Sequence, residues 1–311
     1  MDAFLFSFNA VFPIFLVMAL GYFLNHIGII NDNFIKIGTK ITFTVAIPCM
    51  VFPNIIDASI DDTFDPKLII FVVGVTLLTV LILRLITPRV IKDPREWTAF
   101  IQGAFRSNYL IIGFALIDSM GGAPALAKAS MLLCFVGPLY NILSVLVLAE
   151  ATKGTAEHHI LKSLITNPVI ISTTLGLILA AVGFKLPDLL RSPINMMGDM
   201  ALPLSLLTLG ASISFKHGDA NIPRSITASL IKVLFIPLVF LPIAYLLGFR
   251  GIDMILCLVA FASPSAVSCF PMAYQMGADA KLSGMIIAFT NTFAMGSLFL
   301  IVYILRLLSI I

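Results

Sequence analysis

The stretch "AFRSNYLIIGFALIDSMG", residues 104–121, lies inside a long apolar segment yet sets Arg106, Ser107 and Asn108 side by side. A helix facing lipid offers such groups no partner, and an ionisable residue within a span marks a functional site by default. The rest of the chain says why a polar triplet belongs there.

The chain has 311 residues, 59% of them hydrophobic and only 11% charged. Soluble domains carry ~25% charged residues. Apolar runs of membrane-spanning length alternate with short polar links, which specifies an all-α integral membrane protein; a β-barrel would show short alternating strands. The first apolar run has no basic leader before it and no small-residue cleavage site after it, so it is expected to be a span. Cys49, Cys134, Cys257 and Cys269 lack metal-ligand spacing and read as small hydrophobes. No basic stripe points to nucleic acid.

About ten spans are expected, near 8–28, 34–56, 67–87, 97–118, 125–149, 163–184, 193–215, 224–248, 253–276 and 282–308. The link "EATKGTAEHHILK" (150–162) divides the chain into halves 1–149 and 163–311. Links after odd-numbered spans hold ten Lys and Arg residues and the opposite side holds six. Positive residues favour the cytoplasm, so a multi-pass protein of the cell membrane is expected, with both termini outside and the midpoint linker inside.

The halves resemble each other. At an offset of 155, Pro13 meets Pro168, Gly21 meets Gly176, Gly28 meets Gly183, and "VAIPCMVF" meets "MALPLSLL". At an offset of 156, the opening stretch meets "AFASPSAVSCFPMAYQMG" (260–277) with six of eighteen positions identical, a density that reads as a true repeat. Five spans per copy is an odd number, so the second copy enters the membrane from the opposite face. Two inverted five-helix repeats are expected, an architecture built for alternating access.

In such folds the site sits near the midplane where helices are interrupted. Span nine carries Pro264 and Pro271, and proline frees a carbonyl and clashes with the preceding turn. Span four has no proline at that point; it offers Asn108 opposite Pro264, and Gly113. If both helices break and cross, half-helix N-termini form an anion site. Ser107, Asn108, Ser263 and Ser265 then supply hydrogen bonds, Arg106 grips a carboxylate, and Asn141 and Asn291 reach the same cavity. The duller alternatives stand beside these: Asn108, Asn141 and Asn291 as interhelix bridges, serines bonded to their own helices, Arg106 snorkelling or paired with an acid. Lys40, Asp199 and Lys232 are the other charges within spans, read either as a proton-coupling site at Asp199 or as a structural ion pair.

Catalysis has little footing. Met196 occupies the position that a GxGD aspartyl protease motif needs as glycine, and His26, His158, His159 and His217 fall in links or at span ends. No HExxH or nucleotide-binding motif is present. The chain is not expected to be an enzyme or to hold a cofactor.

"NYLIIGFALI" (108–117), "TNPVIISTTLGLIL" (166–179), "MALPLSLLTLGASI" (200–213) and "PSAVSCFPMAYQMGAD" (264–279) resemble, in order, the fourth-, sixth-, seventh- and ninth-helix motifs of the auxin efflux carrier family. That family includes plant PIN proteins and bacterial malate or malonate permeases. Ala115 departs from it, standing where many members have proline. The resemblance covers essentially the whole chain and implies a scaffold of helices 1, 2, 6 and 7, usually dimeric. It also implies a mobile transport part of helices 3–5 and 8–10, and a crossover at Asn108 and Pro264. The expected activity is carriage of a small organic anion, such as malate, malonate or an auxin-like acid, by an elevator motion, coupled to protons or uncoupled. A bile-acid-type sodium symporter shares this architecture, but the interior of span nine holds no Asp or Glu for sodium. A channel or sensor is the remaining alternative.

Overall fold

The computed structural model describes residues 2–57, 63–151, 168–213 and 222–311. Most of the midpoint linker, with Lys153, His158, His159 and Lys162, lies outside the described residues, as do Lys216 and His217.

The described residues are helical, with no strand among them. In chain order they form α1 (Asp2–His26), α2 (Asp32–Ile41), α3 (Ile47–Asp57), α4 (Pro66–Val90), α5 (Pro94–Phe105), α6 (Phe114–Ala149), α7 (Pro168–Ala181), α8 (Asp188–Asp199), α9 (Ala201–Ser212), α10 (Ile222–Leu230), α11 (Ile236–Leu246), α12 (Ile252–Ala262), α13 (Cys269–Gln275) and α14 (Ala280–Leu307). π-Helical turns at Thr42–Ala46 and Ile231–Phe235 join neighbours into longer rods, and one at Tyr109–Gly113 extends α6 at its start. Seven of the resulting helices are long and apolar enough to cross a membrane: Ala3–His26, Asp32–Ile56, Pro66–Val90, Tyr109–Ala149, Asp188–Ser212, Ile222–Leu246 and Ala280–Leu307. The ten expected spans are therefore not ten separate rods. The fourth and ninth are interrupted halfway, and the sixth is described only over α7. The fourth runs into the fifth across Gly122, whose φ of 59° no helix accommodates and few residues but glycine adopt.

The starts of these helices are legible locally. Asp65 and Asp93 each precede a proline; their carboxylates accept the N–H of Leu68 and Arg95, and Pro66 and Pro94 occupy first-turn positions where no N–H is needed. Asn31 and Asp279 cap α2 and α14 in the same way.

α4, about 37 Å long at 1.5 Å per residue, serves as a ruler for the rest. At its N-terminal end Lys128 of α6 bridges Asp65 and Asp253, so α12 begins on that face. Near its other end Arg84 pairs with Glu150 beyond α6 and stacks 4.9 Å from the Trp97 ring in the first turn of α5. α5 and α12 thus start at opposite faces and run toward each other. Arg224 pairs with Glu96 on the α5 face, where Asp279 N–H also donates to Arg95 O.

A second group of contacts rests on close approach of backbones. A Cβ on Gly21 would stand 2.1 Å from Leu207 O, and one on Gly210 would stand 1.9 Å from Met18 O. α1 and α9 therefore touch main chain to main chain, the small-residue packing that membrane helices use where lipid is as apolar as leucine.

Two outcomes follow. Gly210→Leu forces α1 and α9 apart and loses at least about 2 kcal/mol in detergent unfolding, whereas Gly74→Leu, with nothing within 4 Å of its Cβ position, is near neutral. Burial raises the Asp65 carboxyl pKa, but the Leu68 N–H and the Lys128 ammonium outweigh it and leave it below the usual carboxylate range. A carboxylate so depressed stabilises at pH above the ordinary value of about 3.9 and loses its contribution only as pH falls through the lower folded value. The difference in Tm between wild type and Asp65→Asn is therefore constant from neutral pH down to about pH 5 and closes in stronger acid.

Candidate functional site

α5 stops at Phe105 and α12 at Ala262, and the two chains meet there in antiparallel contact. Ser107 and Ser265 form an isolated β-bridge. Asn108 N–H donates to Pro264 O at 2.7 Å, and Ala266 N–H donates to Arg106 O at 3.1 Å. Partner numbers run in opposite directions across an antiparallel bridge, so Asn108 stands opposite Pro264 and Arg106 opposite Ala266. Asn108 and Pro264, matched at an offset of 156 in the sequence, are thus also neighbours across the crossing. The helix resumes at Tyr109 on one chain and at Cys269 on the other.

Both interruptions are extended segments, and their causes differ. Pro264 lies within the second break, as its chemistry requires, while Pro271 sits in the first turn of α13 and does not break it. The first break forms without proline: Arg106 takes φ −78°, ψ 108°, and Asn108 caps the next turn, its Oδ1 accepting Ile111 N–H at 3.4 Å. Ala115 lies in the first turn of α6, which runs on through it.

Each crossover serine caps the other helix. Ser107 Oγ donates to Ala260 O, and Ser265 Oγ donates to Gly103 O. Ser265 N–H is taken by Thr290 Oγ1 of α14 at 3.2 Å, beside Asn291, whose Nδ2 donates to Ile287 O at 2.7 Å. These two serines are engaged within the crossover rather than free to meet a ligand.

Arg106 does not reach an interface. Its guanidinium is buried and held by α6: Nη1 donates to Ser144 Oγ at 2.8 Å and to Tyr140 O at 3.3 Å, and Nη2 donates to Asn141 Oδ1 at 2.7 Å. Met272 Sδ lies 3.2 Å from Nη1. Lys232, 1% exposed, donates to Phe105 O, Ser107 Oγ and Phe261 O. Arg106 and Lys232 are the only charged side chains buried among the described residues, and every acceptor named for them is neutral.

The crossover also leaves polar atoms without partners. Asn108 Nδ2, Ser263 Oγ and Asn291 Oδ1 are buried and make no hydrogen bond, an expensive condition at membrane depth. The segments that carry Asn108 and Ser263 pack closely: a Cβ on Gly113 would lie 3.5 Å from the main-chain O of Asn108 and 3.8 Å from Ser263 Oγ. Two orphaned groups capable of donating, a guanidinium and a helix N-terminus at Tyr109 form a set able to hold an anion.

Of the residues singled out in the sequence, Arg106, Ser107, Asn108, Asn141, Lys232, Ser263, Pro264, Ser265 and Asn291 are gathered around the crossing. Lys40 and Asp199 are not; they are exposed, on α2 and α8, and no ion pair joins them to each other or to Lys232. Tyr140, Ser144 and Thr290 were missed. Ser144 follows Tyr140 and Asn141 by four and three residues, so helical spacing from Asn141 was the available signal for it.

A family profile described as "Membrane transport protein" matches residues 6–302. The chain is 24% identical over 297 residues to an uncharacterized transporter of Methanocaldococcus jannaschii, covering 92% of this chain and 95% of that protein. It is 23% identical over 278 residues to an uncharacterized transporter of Methanothermobacter thermautotrophicus, covering 89% of this chain and 91% of that one. A match across nearly the whole chain, together with seven membrane-capable helices among the described residues, settles the class: this is a multi-pass membrane transport protein, and it belongs to the auxin efflux carrier family.

Proposed function

We propose that the protein is a secondary carrier of small organic anions, with malate, malonate or an auxin-like acid as the type of cargo, and that a carboxylate binds at the crossing of the broken helices. One observation carries this reading: the charges buried among the described residues are both cations, Arg106 and Lys232, with no acid beside them. A buried unpaired charge is strongly destabilising, and an incoming anion relieves it. Asn108 Nδ2 and Ser263 Oγ, without partners in the protein, are the cargo's neutral donors, and Arg106, held by Asn141 and Ser144, supplies the charge-assisted bond. Ser107, Pro264 and Ser265 build the frame that aims these groups.

The cycle we infer is an elevator motion of two inverted five-helix repeats. Several contacts favour it. Gly21 packs on Leu207, and Gly176, its mate at an offset of 155, packs near Phe52, the mate of Leu207. Gly28 and Gly183, also mates, both take positive φ, 81° and 69°. The ion pairs Asp65–Lys128–Asp253, Arg84–Glu150 and Glu96–Arg224 all tie α4, α5, α6, α10 and α12 or their flanks to one another, which suits a transport part that moves as one body. The close glycine contacts of α1 with α9 and of α3 with α7 suit a rigid scaffold. Lys40 and Asp199, exposed within scaffold spans, favour a homodimer through that face, because a charge left in lipid is costly. The Lys and Arg bias favours termini outside.

Purified protein in liposomes, loaded with unlabelled malate, malonate or indole-3-acetate and offered the labelled acid, is expected to show saturable, trans-stimulated uptake. Asn108→Ala removes this uptake while the protein elutes normally. Uptake that trans substrate does not accelerate identifies a channel, and wild-type rates in Asn108→Ala overturn the site.

A further inference from the structure

The last carbonyls of α5 and α12 end in the interior, where water does not complete them, and a helix leaves its final carbonyls without partners of its own. Here the protein takes them in turn. Gln102 O accepts Arg106 N–H, Gly103 O accepts Ser265 Oγ, Val259 O accepts Ser263 N–H, and Ala260 O accepts both Ser107 Oγ and Tyr140 Oη. Phe105 O and Phe261 O, one from each helix, accept Lys232 Nζ at 3.4 and 3.2 Å. The third Lys232 bond reaches Ser107 Oγ, in the strand of the bridge.

This changes the charge account at the crossing. A helix C-terminus carries about −0.5 of an elementary charge, so two of them together balance about one ammonium. Arg106 has no such counterpart: its acceptors are one hydroxyl, one amide, one carbonyl outside any helix end and one thioether.

We propose that Lys232 is a positioning residue whose charge is taken up by the C-termini of α5 and α12, so that Arg106 alone is left for the cargo and the site accepts one negative charge. The inference rests on the carrier reading above and specifies its substrate class: singly charged carboxylates, with dicarboxylates carried in their half-protonated form. Lys232 reaches the ligand only through Ser107 and the bridge. Its loss disturbs the geometry of the crossing, while the loss of Arg106 removes a bond to the cargo.

The test is counterflow in liposomes with malonate, monomethyl malonate and indole-3-acetate as probes. Monomethyl malonate, a monoanion of nearly the same size, is expected to have a KM about tenfold below that of malonate at neutral pH. Malonate transport is expected to rise as pH falls toward its second ionisation. Lys232→Met lowers the maximal rate about tenfold with little change in KM, and Lys232→Arg recovers most of that rate. Arg106→Met instead raises KM about a hundredfold. If Lys232→Met does not assemble, Ser107→Ala keeps both charges, removes the hydroxyl that Lys232 holds, and is expected to lower the rate at unchanged KM. Preference for the malonate dianion, or a KM rise in Lys232→Met matching that of Arg106→Met, overturns the inference and leaves the carrier intact. Carriage of none of the three probes overturns the carrier reading itself.

Discussion

Backbone hydrogen bonding without water is the constraint on which this structure depends. Within a bilayer every N–H and C=O needs a partner from the protein, and an interrupted helix leaves several on each side of the break. One broken helix would be expensive. Two that break at the same depth and cross can complete each other, and here they do so reciprocally: a serine on each chain closes a carbonyl on the other, and two main-chain bonds link the extended residues between them. Lys232 closes one more carbonyl on each helix.

The solution is asymmetric. At the C-terminal ends of α5 and α12 the named carbonyls have partners. Around Asn108 and Ser263, buried polar atoms have none, and the buried guanidinium of Arg106 has only neutral acceptors. Stability and function are thus separated within a few residues. The crossing is held by the groups that are paired, and the groups that are not are the ones we propose for the cargo.

Outside the crossing, two kinds of contact divide the labour. Glycines at Gly21 and Gly210 let whole helices approach through their main chains, a contact that loses much of its dispersion energy if the helices part. The helices that carry the crossing are joined instead at their ends by Asp65, Lys128, Asp253, Glu96 and Arg224. Such pairs lie in the partly wet zone where ions keep some hydration, so they tie the ends together without the desolvation cost of a pair in the interior.

Much of this was legible in the chain itself. Apolar length fixes membrane class because only helices satisfy themselves in lipid. Asp–Pro pairs at 65–66 and 93–94 mark helix starts because capping is local chemistry. Polar Arg106–Ser107–Asn108 in a greasy segment marks an interruption because such groups need partners. Other features required the three-dimensional arrangement. Matching the repeats sets Ser107 against Ser263, while the bridge faces Ser107 with Ser265, because the two segments run antiparallel where they cross. Lys232 carried no local sign of its role, because its acceptors come from residues 105, 107 and 261. Lys40 and Asp199 looked equivalent to it in sequence and proved exposed. Burial of a charge within a span depends on which face of its helix it occupies and on what packs there, and that is a property of the assembled bundle alone.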